Sequence, residues 1–122
     1  AVYNAISGDR MLVEKGKPVA GLDSTTLQPR TAIGTNQNGR WMVMIVVDGR
    51  QSGYSEGATL KELAEMLIKF GGVYNAINLD GGGSSAMVIE KDGKADVLNS
   101  PIEGGIAGKE RSVANHLGIE IR

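Results

Sequence analysis

No cysteine occurs in the 122 residues. Disulfides and thiolate metal sites are therefore excluded, while the compartment stays open. His116 is the only histidine, and no group of His, Asp and Glu has metal-ligand spacing, so nothing points to a metal or another cofactor. An excess of either charge is also missing: thirteen basic residues face fourteen acidic ones, for a formal net charge of -1. Such a chain has no global attraction for nucleic acid or an anionic membrane, and any anion recognition must come from local arginines. No apolar run is long enough to span a bilayer, and the first residues lack the basic-then-apolar pattern of a secretory signal. The partners expected on this reading are neither nucleic acid nor membrane.

What the chain has in abundance is glycine. Its eighteen glycines are about twice the usual share, and they gather at strand ends and in two loops rather than in a low-complexity tract. With 41% apolar content over 122 residues, the length suits one domain with a single modest core.

Short strands are expected at Val2 to Ile6 and Thr31 to Thr35, with a hairpin through Met11-Leu12-Val13 and Lys15 to Val19. Trp41 to Val47 is apolar at every position and predicts a central strand buried on both faces, with Trp41 and its methionines in the core. Leu60 to Phe70 predicts the one clear helix. Thr59 and Glu62 have capping-box spacing, Leu60, Leu63, Ala64, Leu67 and Ile68 form an apolar stripe, and Gly71-Gly72 supplies the stop. Further strands are expected at Val73 to Leu79, Ala86 to Glu90, Ala95 to Leu98 and Val113 to Ile121, with Asp92-Gly93 as a hairpin turn and Asn99 to Gly108 as a loop. Many strands and one helix give an α+β class, a mixed and largely antiparallel sheet packed on one main helix.

The segment Asn78-Leu79-Asp80-Gly81-Gly82-Gly83-Ser84-Ser85 is the strongest candidate for a site. Three ordered glycines in a row cost backbone entropy, so they imply positive φ or close backbone approach. The loop is neither Gly-x-Gly-x-x-Gly nor a Walker sequence, and the apolar run after it favours a strand, which argues against nucleotide binding. Its backbone N–H groups can still hold a phosphate or developing negative charge. Ser84 and Ser85 lack a Gly-x-Ser-x-Gly elbow, so hydrogen bonding to a ligand suits them better than nucleophilic attack.

Asp48, in Val47-Asp48-Gly49-Arg50, repeats the setting of Asp80 at the end of an apolar strand. Were the two strands parallel neighbours, both carboxylates would emerge at one sheet edge. Asp-Gly is also a frequent turn pair. Arg30, Arg50 and Arg111 flank strand ends and offer planar forks for phosphate, although most arginines are simply solvated. His116, alone in a strand-like stretch, reads as a packed, hydrogen-bonded residue rather than a catalyst.

Five segments in order now resemble one family: Arg30 to Gly34, Val47 to Arg50, Ser52-x-x-Ser55-x-Gly57-Ala58-Thr59, Asn78 to Ser85, and Glu110-Arg111-x-Val113-Ala114-Asn115-His116. Together they look like the phosphodiester glycosidases, over roughly Ile6 to the C-terminus. Domains of that family carry a further N-terminal portion, so the resemblance implies that 1–122 is a single domain lacking it. It also implies a hydrolase that cleaves the sugar C1–O bond of a sugar-1-phosphodiester, and an extracellular or periplasmic location.

Phosphate is a good leaving group, so such a site needs cations for the departing phosphate and a carboxylate near the oxocarbenium-like sugar. The resemblance assigns Asp80 as nucleophile or charge stabiliser and Asp48 as acid/base or positioning partner, with Glu110 able to exchange roles with Asp48. Arg30, Arg50, Arg111, Asn78, Gly81, Gly82, Gly83, Ser84, Ser85 and Ser55 would bind substrate. A carboxylate separation of about 5–5.5 Å would indicate retention and about 6.5–9.5 Å inversion. The alternative is a non-catalytic module that holds a phosphorylated glycan or polysaccharide through the same residues. Open strand edges in a shortened domain would also allow pairing with a second copy.

Overall fold

Residues 1–121 are described by the computed structural model. Strands β1 (Arg10–Glu14) and β2 (Lys17–Pro18) form the expected hairpin, with Lys15 and Gly16 at positive φ in its turn. They are followed by β3 (Arg30–Thr35), β4 (Met42–Val47), helix α1 (Leu60–Gly71) and β5 (Asn75–Asn78). These strands make one sheet in the order β2-β1-β5-β3-β4, and every pairing is antiparallel. Two small hairpins complete the chain, β6 (Val88–Lys91) with β7 (Lys94–Val97), and β8 (Ile102–Glu103) with β9 (Ile106–Ala107). The fold is α+β.

Helix α1 forms where its periodicity and caps agree. The Thr59 side chain accepts from the Glu62 N–H, and the Glu62 carboxylate accepts from the Thr59 N–H, closing the capping box. Gly72 takes the left-handed conformation at φ 59 and stops the helix. The stripe Leu60, Leu63, Ala64 and Leu67 is buried against Leu12, Val13, Ala32 and Ala76 of the sheet. Each fully buried leucine contributes about 1.5–3 kcal/mol by leaving water. Gly34 lets this layer close, because a Cβ there would lie 2.5 Å from Val73.

Four expectations are corrected. Trp41 to Val47 is not a central strand: β4 is the sheet's edge, Trp41 is 71% exposed, and Met42 and Met44 are about half-exposed. Val43, Ile45 and Val47 face the helix, while Met42, Met44 and Val46 point to the other face, where no helix packs. Val2 to Ile6 and Val113 to Ile121 are mostly exposed and form no strand, since neither segment pairs with the sheet. Asn99 to Gly108 is not plain loop but holds the β8–β9 hairpin.

Candidate functional site

Antiparallel alternation decides which residues meet. With β1 and β3 running one way and β5 and β4 the other, the starts of β1 and β3 and the ends of β5 and β4 share one end of the sheet. Asp9-Arg10, Gln28-Pro29-Arg30, Val47-Asp48 and Asn78-Leu79-Asp80 therefore converge there. The strands bearing Asp48 and Asp80 are parallel but are not neighbours, since β3 lies between them.

A cleft of about 780 Å³ opens at this end, lined by Asp9, Arg10, Asp23, Gln28, Arg30, Arg50, Asn78, Asp80, Gly81, Gly82 and Arg111 among others. A second hollow lies on the outer sheet face, beside the irregular chain from Glu110 to Leu117. It is lined by Asp80, Ser84, Glu110, Arg111 and His116, together with Thr31, Ile33 and Met44. Asp80 and Arg111 stand on the lip that both hollows share. Asp80 is exposed. His116 is exposed too, rather than packed.

The glycine triplet has a steric cause at each position. A Cβ on Gly81 would lie 2.8 Å from the Pro29 carbonyl oxygen. Gly82 has φ 60 and its N–H donates to that same carbonyl at 2.9 Å. A Cβ on Gly83 would lie 2.7 Å from the Arg111 guanidinium and from Glu103. The loop folds on itself as well, with the Ser84 and Ser85 N–H groups donating to Gly81 and Gly82. Three N–H groups of the expected cradle, those of Gly82, Ser84 and Ser85, are thus already committed to the protein.

Several predicted site residues are engaged in holding the scaffold. The Asp48 carboxylate accepts from Asn99 Nδ2 at 2.8 Å, from the Ser100 N–H at 3.0 and 3.1 Å, and from the Tyr54 hydroxyl at 3.0 Å. That bond and the adjoining charge push the Tyr54 hydroxyl pKa up. Ser55 donates to the Asp48 carbonyl at 2.6 Å. Ser85 is 1% exposed and accepts from Thr31 at 3.1 Å. None of Asp48, Ser55 and Ser85 lines either hollow.

Asp9 is a cleft carboxylate that the sequence reading missed, because Ser7-Gly8-Asp9 looks like an ordinary turn. Only the register that pairs Arg10 with Asn78 reveals it. Asn78 donates to Asp9 at 2.7 Å and Arg10 at 3.2 Å. Burial pushes the Asp9 carboxyl up, but these hydrogen bonds and the Arg10 charge outweigh it and hold the group below its ordinary value. Across the cleft, hydrogen bonds from Thr26 and Thr25 hold Asp23 well below the usual carboxylate range. Gln28 and Glu103 were missed as well; each grips an arginine of the site, a role that no local motif encodes. No group of three or more metal-binding side chains occurs among the described residues.

The result is an α+β domain with carboxylates and arginines gathered at one end of an antiparallel sheet. The phosphodiester glycosidase family profile matches residues 1–120, and the chain belongs to that family. It is 44% identical over 63 residues to N-acetylglucosamine-1-phosphodiester alpha-N-acetylglucosaminidase from Bos taurus, and equally to that from Homo sapiens. Those matches cover 52% of this chain and 11% and 12% of the relatives. The catalytic domain of the zebrafish enzyme, auto-inhibited by its pro-peptide, superposes with a TM-score of 0.62 at 29% identity. That match covers 79% of this chain and 34% of the zebrafish one. The chain thus spans a minor part of the length of these relatives.

Proposed function

We propose that this chain carries the sugar-1-phosphodiester site of a glycosidase that hydrolyses the sugar C1–O bond, N-acetylglucosamine being the sugar that the relatives' name supplies. The observation that carries the reading is the position of Asp80, an exposed carboxylate on the shared lip with Arg30, Arg50 and Arg111 around the same cleft. Water adds its oxygen to C1, the C1–O bond breaks, and the phosphate monoester leaves with the bonding electrons. Guanidinium groups stabilise the negative charge that gathers on it. Asp80 faces the positive charge developing at C1, as nucleophile or as stabiliser, and Glu110, which lines the outer hollow with Asp80, is the candidate second carboxylate. Asp48 serves as a positioning residue, since its oxygens are taken up by Asn99, Ser100 and Tyr54.

Asp80→Asn should lower kcat on a GlcNAc-1-phosphodiester by about 100-fold or more while the fold is retained. Turnover near the wild-type rate would sink the catalytic reading. Saturable binding without turnover by the wild type would instead make this a binding module for a phosphorylated glycan.

A further inference from the structure

Of the four arginines that line the cleft, Arg10 pairs with Asp9, and the other three are not equivalent. Arg30 donates from Nε to the Ala58 carbonyl and from Nη2 to the Thr26 carbonyl, both at 2.9 Å, so it buckles the start of β3 to the chain on either side. Arg50 and Arg111 are gripped by side chains instead. Both Nε and Nη2 of Arg50 donate to Oε1 of Gln28. Nε of Arg111 donates to Oε2 of Glu103 at 2.7 Å. In each case the anchor takes the Nε side of the guanidinium and leaves N–H groups on the far side to meet a ligand.

Both groups rest on the glycine loop. A Cβ on Gly82 would meet Nη2, Nη1 and Cζ of Arg50 at 3.2 to 3.5 Å, and one on Gly83 would meet Cζ and Nη2 of Arg111 at 2.7 Å. Consecutive glycines, whose Cα atoms are about 3.8 Å apart, therefore each carry one guanidinium group, and both arginines line the same cleft. Arg50 also keeps φ at 56, a conformation that is costly for a non-glycine residue and persists only where its surroundings enforce it. Among the described residues the ion pairs are Arg10 with Asp9 and Arg111 with Glu103, so Arg50 carries charge with no carboxylate against it. Burial pushes the Arg30 pKa down, while attraction to Asp23 and Asp9 opposes this and outweighs the smaller repulsion from Arg10 and Arg50.

We propose that Arg50 and Arg111, seated on Gly82 and Gly83, form a two-arginine clamp for phosphate oxygens, with Gln28 and Glu103 as the positioning residues that aim them. Planar forks presented in pairs match the oxygens of a phosphate bidentately, which a lysine in either place would not. Placing the phosphate of a sugar-1-phosphodiester in this clamp rests on the function proposed above. Phosphate binding itself can be measured without turnover.

The test titrates inorganic phosphate into the whole chain while following the arginine Nε–Hε NMR signals. Phosphate should move the Arg50 and Arg111 signals and leave that of Arg30 in place. Gln28→Ala and Glu103→Ala should each weaken phosphate binding about tenfold, the scale of one hydrogen bond to a charged group. Each should also lower the kcat/KM ratio of a sugar-1-phosphodiester to a nitrophenyl glycoside by a similar factor. Glu103→Gln, which keeps an acceptor for Nε, should recover part of both losses.

Arg50 and Arg111 signals that stay still, or anchor variants that depress both substrates equally, would overturn the clamp. Phosphate binding by the two arginines with no turnover of any sugar-1-phosphodiester would leave the clamp standing and overturn the hydrolase reading alone.

Discussion

Asn78 does two things with one amide. Its Nδ2 donates to Asp9 at 2.7 Å, while among the described residues its buried Oδ1 has no hydrogen-bond partner. An orphaned buried acceptor costs about 1–3 kcal/mol, which the bond to Asp9 offsets in part. Asn78→Ala removes a donor that lowers the Asp9 pKa, and that pKa should rise in the variant. The sign for stability follows from linkage. A carboxyl with a depressed folded pKa contributes stability that is full above its unfolded pKa of about 4 and lost as pH falls through the folded value. The wild type should therefore lose the Asp9 contribution only in acid, and the variant should lose less there because it has less to lose. A carbon-13 titration of the Asp9 carboxyl checks the shift, and an unchanged midpoint would contradict it. Arg10, the other group bonded to Asp9, is common to both proteins.

Among the elements, α1 shows most plainly what a sequence can encode locally. Its N-terminus depends on Thr59, which is 4% exposed and bonded to Glu62 in both directions. Thr59→Ala should cost about 1 kcal/mol in urea unfolding at neutral pH. The Thr59 N–H and hydroxyl hold the Glu62 carboxyl below its ordinary pKa, so the cap is at full strength above that value and weakens in acid. The penalty of the variant should accordingly shrink as pH falls. A penalty that stays constant down to pH 3 would assign it to the bond from the Glu62 N–H to the Thr59 hydroxyl rather than to the Glu62 carboxylate.

The helix was legible because period, cap and stop residue all agree within fourteen positions, Thr59 to Gly72. The Asp92-Gly93 turn was legible for the same local reason. Strand β4 was not, because an apolar run reads alike whether one face is covered or two. Its place at the sheet edge is a property of the other four strands. Val113 to Ile121 failed differently: it has strand-like residues but pairs with no strand. The site divides along the same line. Asp80 and the three glycines stood out from their own neighbours in sequence, whereas Asp9, Gln28 and Glu103 gain meaning only from register and from a guanidinium brought in from elsewhere.

At the scale of the whole molecule, burial is unevenly distributed. The buried apolar cluster lies between α1 and the five-stranded sheet, whereas in β6 and β7 every residue except Val97 is exposed. What ties this hairpin down is a polar chain of contacts. Met87 donates to the Asn99 side chain at 2.8 Å, and Asn99 donates in turn to the Ser85 carbonyl at 3.0 Å and to Asp48 at 2.8 Å. Asp48 therefore joins the end of β4 to the base of the hairpin. Asp48→Ala would leave the Asn99 and Ser100 donors without their acceptor, at a cost of about 2–3 kcal/mol. The loss should be local: regions with few buried contacts open first and independently of the core. Hydrogen exchange should speed up from Met87 to Ser100, while the amides of β1, β3 and β5 keep their protection. Were Asp48 a reacting acid or base instead, Asp48→Asn would abolish turnover with the hairpin's exchange unchanged, because an amide oxygen can still accept from Asn99 and Ser100. If Asp48→Asn keeps both the hairpin and most of the turnover, the carboxylate acts by holding the 99–100 loop in place.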